Sequence, residues 1–474
     1  MAKTKLAFIA DLHYYSPRLG TTGRAYDLRQ GSDQKCLAES GAIIDAAFER
    51  LLSEPDVDAL VISGDVTNDG EKCSHDEVRA KFLSFAEKKP LYLITSTHDW
   101  CTDHNPRRFE GNEIYHDVET LDAETLDAYY RDFGRENLVD EYETGRGFHS
   151  RCFQVGPALR LLAVNDDMDG EGGKSGYSEA HLQWMEKQLA DAKAAGCDVI
   201  ATEHHLLLWG ISGLINKGQS IGDNFAVASR LADAGLRLMF VGHSHMQRTT
   251  EFTSENGNKI TQVNVGSLCG HPAPINYVTV EDGKAHIEVK CLEHFTYEGE
   301  EKDASFIRDH STAVLTNLLH AAAEDKQDFR ERLESQGIHL KPLDKIYPII
   351  RHYAKLALGV SVGKAAKKVN RLTFGKGVDK KAAKAIKNEP LLPHILDIFC
   401  CVFDGSMHAK DMSEETRRVA TDVSTLPRRI INKAPIKKAK KEKIFRTTDE
   451  IEKILQELIN PSLPDNVDCE VDLR

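Results

Sequence analysis

A chain of 474 residues that is 41% hydrophobic and 28% charged has the composition of packed globular domains, with room for two or more of them. No stretch approaches the ~20 consecutive apolar residues of a membrane helix, and Asp11 and His13 interrupt the N-terminus before a secretory core is complete. The expectation is a cytoplasmic protein that neither spans a membrane nor is exported. Its 10 cysteines contain no C-x-x-C pair, which suits reduced thiols rather than a disulfide framework or a zinc ribbon. The net charge of −13 is uneven: residues 1–300 carry 29 basic against 48 acidic side chains (−19), and residues 301–474 carry 32 against 26 (+6). A field of that sign over the first part argues against a nucleic-acid partner there and leaves room for a small anion drawn in by bound metal.

In chain order, short β-branched runs at 6–10, 59–63, 91–95, 159–164, 199–202 and 238–241 alternate with helical-period stretches at 32–53 and 178–195, which predicts a layered α/β domain. Residues 260–265, 277–280 and 285–290 read as strands joined by turns, an antiparallel part of the sheet system. Beyond about residue 300 the strand signal stops. Helical faces at 306–323 and 391–403 predict a helical region, so the expected domains are 1–300 and 301–474. The lysine run at 433–443 reads as a solvated face or a contact for an anionic partner.

The chemistry lies just past the strands. Asp11-Leu12-His13 follows the first run, Gly64-Asp65 the second, Thr97-His98-Asp99 the third, His204-His205 the fifth and Gly242-His243-Ser244-His245 the sixth. In an open α/β sheet such positions gather at the carboxyl edge, where these folds place their sites. Singly each motif is weak; the ordered set is not. Two divalent ions ~3.5–4 Å apart need a bridging carboxylate, several neutral imidazoles and open positions for oxygens. Oxygen and imidazole donors without thiolate suit manganese, iron or zinc.

This ordered set resembles the calcineurin-like metallophosphoesterase superfamily over about residues 5–290, and within it is similar to class III cyclic-nucleotide phosphodiesterases with an added C-terminal helical region. The resemblance implies a four-layer α/β/β/α sandwich and hydrolysis of phosphoric esters, small phosphodiesters or cyclic nucleotides above all, by water activated between two divalent metals. It implies Asp11, His13 and His245 at the first metal, Asp65 bridging, and His204 and His243 at the second. His98 would be the general acid, with Asp99 orienting its ring. His204 is preferred to His205 because the family's ligand stands two places before a proline, whose place Leu206 takes here. Where the family has asparagine before His-Asp, a ligand of the second metal, this chain has Thr97, so that site is expected to be weak. The insertion at 101–151 is expected to wall the substrate, with Arg107 and Arg108 as phosphate contacts; Tyr129, Tyr130 and Arg151 are further candidates there, and all of these also read as surface residues. Tyr14 and Tyr15 line the pocket mouth or pack in their loop. The expected partner is a small phosphoester. Two alternatives remain, a nuclease-type phosphodiesterase and a noncatalytic protein-binding module on the same fold.

Overall fold

The computed structural model describes residues 3–474 apart from 101–105, 168, 171–173, 336–342, 376, 427, 429–437 and 461–467. Along Thr4–Ile9 successive side chains point to opposite faces. Leu6 and Phe8 therefore enter one apolar layer with Val61, Phe153 and Val278, while Ala7 and Ile9 enter another with Ile44, Phe48 and Phe82. The first layer lies between two sheets, where the rings of Phe8 and Phe240 stack at 3.9 Å.

One sheet has six strands, in the order Asp468–Asp472, Lys284–Cys291, Pro274–Glu281, Thr4–Ile9, Ala59–Ser63 and Leu91–Ile94. The other has seven: Arg248–Thr253, Lys259–Asn264, Leu238–Val241, Asp198–Thr202, Leu159–Ala163, His149–Gly156 and Leu138–Glu143. Helices Ser40–Ser53 and Lys72–Ala86 cover the outer face of the first, and Glu179–Ala194 and Asn224–Ala234 that of the second, completing a four-layer α/β/β/α sandwich. Ser178 caps its helix by accepting from the His181 amide, as an N-cap serine should. The six runs read as strands before residue 250 are strands, and their parallel central members bring the carboxyl ends of both sheets to one edge.

Four stretches differ from the sequence reading. The helix expected from residue 32 starts only at Ser40, because the Asp33 carboxylate and the Cys269 carbonyl take the amides of Lys35 and Cys36 at 3.1 and 2.7 Å. Of the strands at 260–290, Pro274–Glu281 and Lys284–Cys291 form the expected antiparallel pair in the first sheet, whereas Lys259–Asn264 joins the second and runs parallel to Leu238–Val241. The insertion at 101–151 supplies a hairpin, Arg108–Glu110 with Glu113–Tyr115, and edge strands of the second sheet. Finally, Asp468–Asp472 pairs with Lys284–Cys291 and buries Val471 between the sheets, so the end of the 301–474 region belongs to the sandwich.

Between these come helices from Ala304–Glu324 to Lys438–Ile459, with small cores of their own. Two of them grip loops at the carboxyl edge of the sheets: the Ser311 hydroxyl donates to the Gln34 carbonyl at 3.0 Å, and the Gln247 amide donates to the Phe403 carbonyl at 2.6 Å. Of the basic run, Lys433 and Lys437 lie outside the described residues. Among the described residues no helix is long and apolar enough to cross a membrane.

Candidate metal centre

Three overlapping triads of donor atoms sit at the shared edge: Asp11, His13 and His245; His13, Asp65 and His98; and Asp65, His204 and His243. In each, one donor atom per residue lies within 4.8 Å of the others. His13 Nε2 stands 3.7 Å from Asp11 Oδ1, 3.9 Å from Asp65 Oδ2 and 2.9 Å from His245 Nε2. His204 Nε2 stands 3.1 Å from Asp65 Oδ2, and His245 Nε2 3.3 Å from Asp11 Oδ1. Asp65 is thus the carboxylate shared between triads.

The chain folds this way at a cost. Asp11, His13, Asp65, His243 and His245 all have positive φ, between 42° and 65°, a region that non-glycine residues avoid and that clusters at functional sites. Two glycines give the loops room. A Cβ on Gly64 would stand 2.4 Å from His204 Nδ1, and one on Gly242 would stand 2.6 Å from Asp11 Oδ2.

Hydrogen bonds at the far ring nitrogens aim the imidazoles. His204 Nδ1–H donates to the Ser63 carbonyl at 2.8 Å, His98 Nδ1 meets the Asn68 carbonyl, and His245 Nδ1 meets the Gln34 side chain. At His204 and His98 an Nδ1–H bonded to a carbonyl leaves Nε2 as the free lone pair, the arrangement that metal-binding histidines use, while Gln34 holds the His245 ring in place. Burial, together with the neighbouring cationic groups, holds His13 and His243 well below the ordinary histidine range, so both are neutral. Burial works against charge on Asp11 and Asp65 too, but the surrounding imidazoles outweigh it and keep both carboxylates ionised. Converging imidazole nitrogens, those of His13 and His243 neutral, and ionised oxygens, with His13 Nδ1 buried and without a hydrogen-bond partner among the described residues, form a donor set that fits divalent cations.

The structure redistributes several expected roles. Asp99 does not orient His98: its carboxylate turns into the backbone, accepting from the amides of Thr67 at 2.8 Å and Ser96 at 2.9 Å. With burial and Asp65 disfavouring its charge, it is pushed up to about 6. The His98 ring is set instead by Asn68 and by Asp69, whose Oδ1 is 3.7 Å from Nδ1. Asp65 and Asp69 outweigh burial and raise the His98 pKa. His98 also shares a triad with His13 and Asp65. Thr97 opens the short helix Thr97–Trp100 beside it.

Arg107 Nη2 donates to Asp69 at 3.1 Å and so borders the site. Arg108 does not reach it, because its guanidinium pairs with Asp117 at 2.7 and 2.9 Å and lies over the Tyr115 ring within its own hairpin. Arg151 is buried against Asp127, Tyr130 donates to His75, and Tyr14 donates to Glu77, all structural uses. His205, passed over for His204, faces away to Asp166 and Asp167, which the sequence reading missed although both follow a predicted strand. Gln34 was missed as well; a neutral amide in a loop carries no signal.

No curated protein matches. Among solved structures, the chain is similar to a dimetal phosphatase from Danio rerio (13% identity, TM-score 0.43, 62% of this chain and 98% of that one). It is similar also to a purple acid phosphatase from yellow lupin, Lupinus luteus (14%, 0.40, 64% and 53%), and to a predicted phosphoesterase from Streptococcus pneumoniae (11%, 0.23, 64% and 98%). The sequence profile of the calcineurin-like phosphoesterases matches residues 4–247, more than half of the chain. It is therefore a member of the calcineurin-like phosphoesterase family, a metal-dependent phosphoric-ester hydrolase with a centre for two divalent ions.

Proposed function

We propose that this chain hydrolyses small phosphodiesters, cyclic nucleotides among them, in preference to monoesters and to nucleic acid. The observation that carries the reading is His98: its side chain is 18% exposed at the rim, its Nδ1 is held by Asn68 and Asp69, and it stands beside Asp65 and His13. When the P–O bond to an ordinary alcohol breaks, that alcohol departs as an alkoxide, which needs a proton, and a rim imidazole with a raised pKa is placed to supply one. The −19 balance of residues 1–300 disfavours long polyanions, whereas a single phosphate meets its counter-charge at the centre itself.

Under this reading Asp11, His13 and His245 hold one ion, His204 and His243 the other, and Asp65 both. The ions, which we take to be manganese, iron or zinc, supply Lewis acidity for the phosphoryl oxygens and lower the pKa of the attacking water. The chain's residues do the rest. Ser63 and Gln34 hold the His204 and His245 rings in place. Arg107, drawn to the rim by Asp69, faces the phosphate or the leaving group. The His98 proton passes from Nε2 to the departing oxygen, while Nδ1–H stays bonded to the Asn68 carbonyl. Residues 301–474, proposed as a separate helical domain apart from the final strand, brace the loops that carry these groups. The test is turnover of the manganese-loaded protein on a panel of mono-, di- and cyclic phosphoesters. A preference for monoesters, or for single-stranded DNA over every small diester, overturns the reading.

A further inference from the structure

Behind the centre lies a second buried group of donors, outside the three triads. Asp166, Asp167 and His205 each place one donor atom within 4.8 Å of the other two, and all are at least 95% buried. Asp166 accepts from the His205 amide at 2.8 Å, and its Oδ1 lies 3.1 Å from His205 Nδ1. His205 Nε2 lies 3.3 Å from the Ser175 hydroxyl. Asp167 is wholly buried, and neither of its oxygens has a hydrogen-bond partner among the described residues; His205 Nδ1 is 4.0 Å away.

A carboxylate in that position has two ways to lose its charge. A proton gives it an O–H, but with no hydrogen-bond partner among the described residues that donor is itself orphaned, so the desolvation cost remains. A side-chain cation compensates only in part: the one ion-pair partner of either aspartate among the described residues is His205, at 3.1 Å from Asp166 but 4.0 Å from Asp167, and the buried Glu203 near Asp166 adds a third carboxyl. A metal ion answers both problems at once, since it accepts lone pairs from several oxygens without needing an acceptor in return. The imidazole is ready for it. With Nε2–H donating to Ser175, Nδ1 becomes the free lone pair facing both aspartates.

We propose that Asp166, Asp167 and His205 form a third divalent-cation site of the manganese type, separate from the dinuclear centre and next to it. The separation is short: the rings of His205 and His243 lie 4.4 Å apart, and His204 and His205 are consecutive. Two carboxylates and one imidazole suit manganese or magnesium better than a thiol-seeking ion.

The test is metal content. The full-length protein is stripped with chelator, reloaded with Mn²⁺, freed of excess and analysed for bound ions per chain. Asp167→Asn, which keeps the shape and removes the charge, is expected to hold one ion fewer than the wild type. His205→Gln is expected to show the same loss and serves if Asp167→Asn does not fold. Asp11→Asn, which impairs the dinuclear centre alone, must keep the ion that Asp167→Asn loses, so the double variant loses more than either single one. Melting temperature gives a readout free of activity. Without metal, Asp167→Asn should melt no lower than the wild type, because one of two adjoining buried charges is gone, and Mn²⁺ should raise it by less. Equal ion counts in the wild type and in Asp167→Asn overturn the third site, and a loss in Asp11→Asn at the same time leaves the dinuclear centre standing. A loss in Asp167→Asn with none in Asp11→Asn supports the third site and overturns the dinuclear assignment.

Discussion

Two buried clusters of carboxylates and imidazoles stand side by side in this molecule and are held in different ways. The larger draws residues from the ends of strands in both sheets, and five of its members sit in left-handed backbone. The smaller comes from two neighbouring loops of one sheet, and none of its three residues has positive φ. Left-handed conformations cost of order 1 kcal/mol or more each, and they persist only where the surrounding structure over-determines them. The larger cluster is thus shaped for its contents, whereas the smaller is shaped by the loops that happen to carry it. That contrast predicts unequal consequences when each is disturbed.

The largest effect belongs to Asp65, the carboxylate common to two triads. Asp65→Asn should lower kcat by at least the ~10³-fold that loss of a principal charge-stabilising contact costs, more than His13→Ala and far more than Asp167→Asn, all at saturating manganese. Turnover in Asp65→Asn comparable to the wild type would break the two-ion assignment. Next comes His98. His98→Ala should cost ~10²–10⁴-fold on esters of simple alcohols and much less on p-nitrophenyl esters, whose leaving group needs little protonation. Equal losses on both, with metal content retained, would make His98 a positioning residue instead of the acid.

The contrast also explains what could be read in advance. A cluster built from strand ends announces itself, because each contribution is a His or Asp directly after an apolar run, and five such contributions in order are hard to mistake. The layers were legible for the same reason: the continuous apolar runs at 6–10 and 59–63 mark strands buried on both faces. Asp166 and Asp167 also follow a run, 159–164, yet two adjacent aspartates in a polar loop look like any solvated turn until burial is known. Asp99 was read through its neighbour, but one residue along a short helix points its carboxylate away from His98 and toward the Thr67 and Ser96 amides. Arg108 was read through its charge, which its own hairpin neutralises. The sequence through the final strand carries an apolar alternation, Val467, Cys469, Val471 and Leu473, that its helical context masked, and what fixes the strand is an edge of a sheet assembled about 180 residues earlier.

A smaller effect is expected at Thr97, where the larger cluster departs from its family. Its hydroxyl reaches less far than an asparagine carbonyl and is a weaker donor, so the ion at Asp65, His204 and His243 should bind less tightly than the ion at Asp11, His13 and His245. Thr97→Asn should lower the manganese concentration for half-maximal activity by ~10–100-fold. A manganese titration of turnover and of bound ions decides it. Two tight ions in the wild type, unchanged by the substitution, would show that another group has replaced the asparagine, and His98 is the candidate because it already shares a triad with Asp65.

The smallest effect concerns a histidine that binds nothing, and it isolates what burial alone does to an imidazole in this fold. His75 is fully buried behind the Asp99 loop; its Nε2–H donates to the Asp99 carbonyl at 2.7 Å, and its Nδ1 accepts from the Tyr130 hydroxyl at 2.8 Å. Both nitrogens are satisfied in the neutral ring, unlike the orphaned oxygens of Asp167. Burial lowers the pKa from 6.5 to about 4, only partly offset by the Asp99 carbonyl. Because the folded-state value is the lower one, the unfolded chain binds the extra proton between those limits. The contribution to stability is therefore whole above 6.5 and is lost as the pH falls toward 4, amounting to about 3 kcal/mol at most. His75→Gln can make both hydrogen bonds without titrating, so its own stability should fall less on acidification. Denaturant unfolding of the two forms across this range gives the comparison. Curves that stay parallel from neutral pH down would mean that His75 is protonated in the folded protein, with the Tyr130 hydroxyl turned to another acceptor.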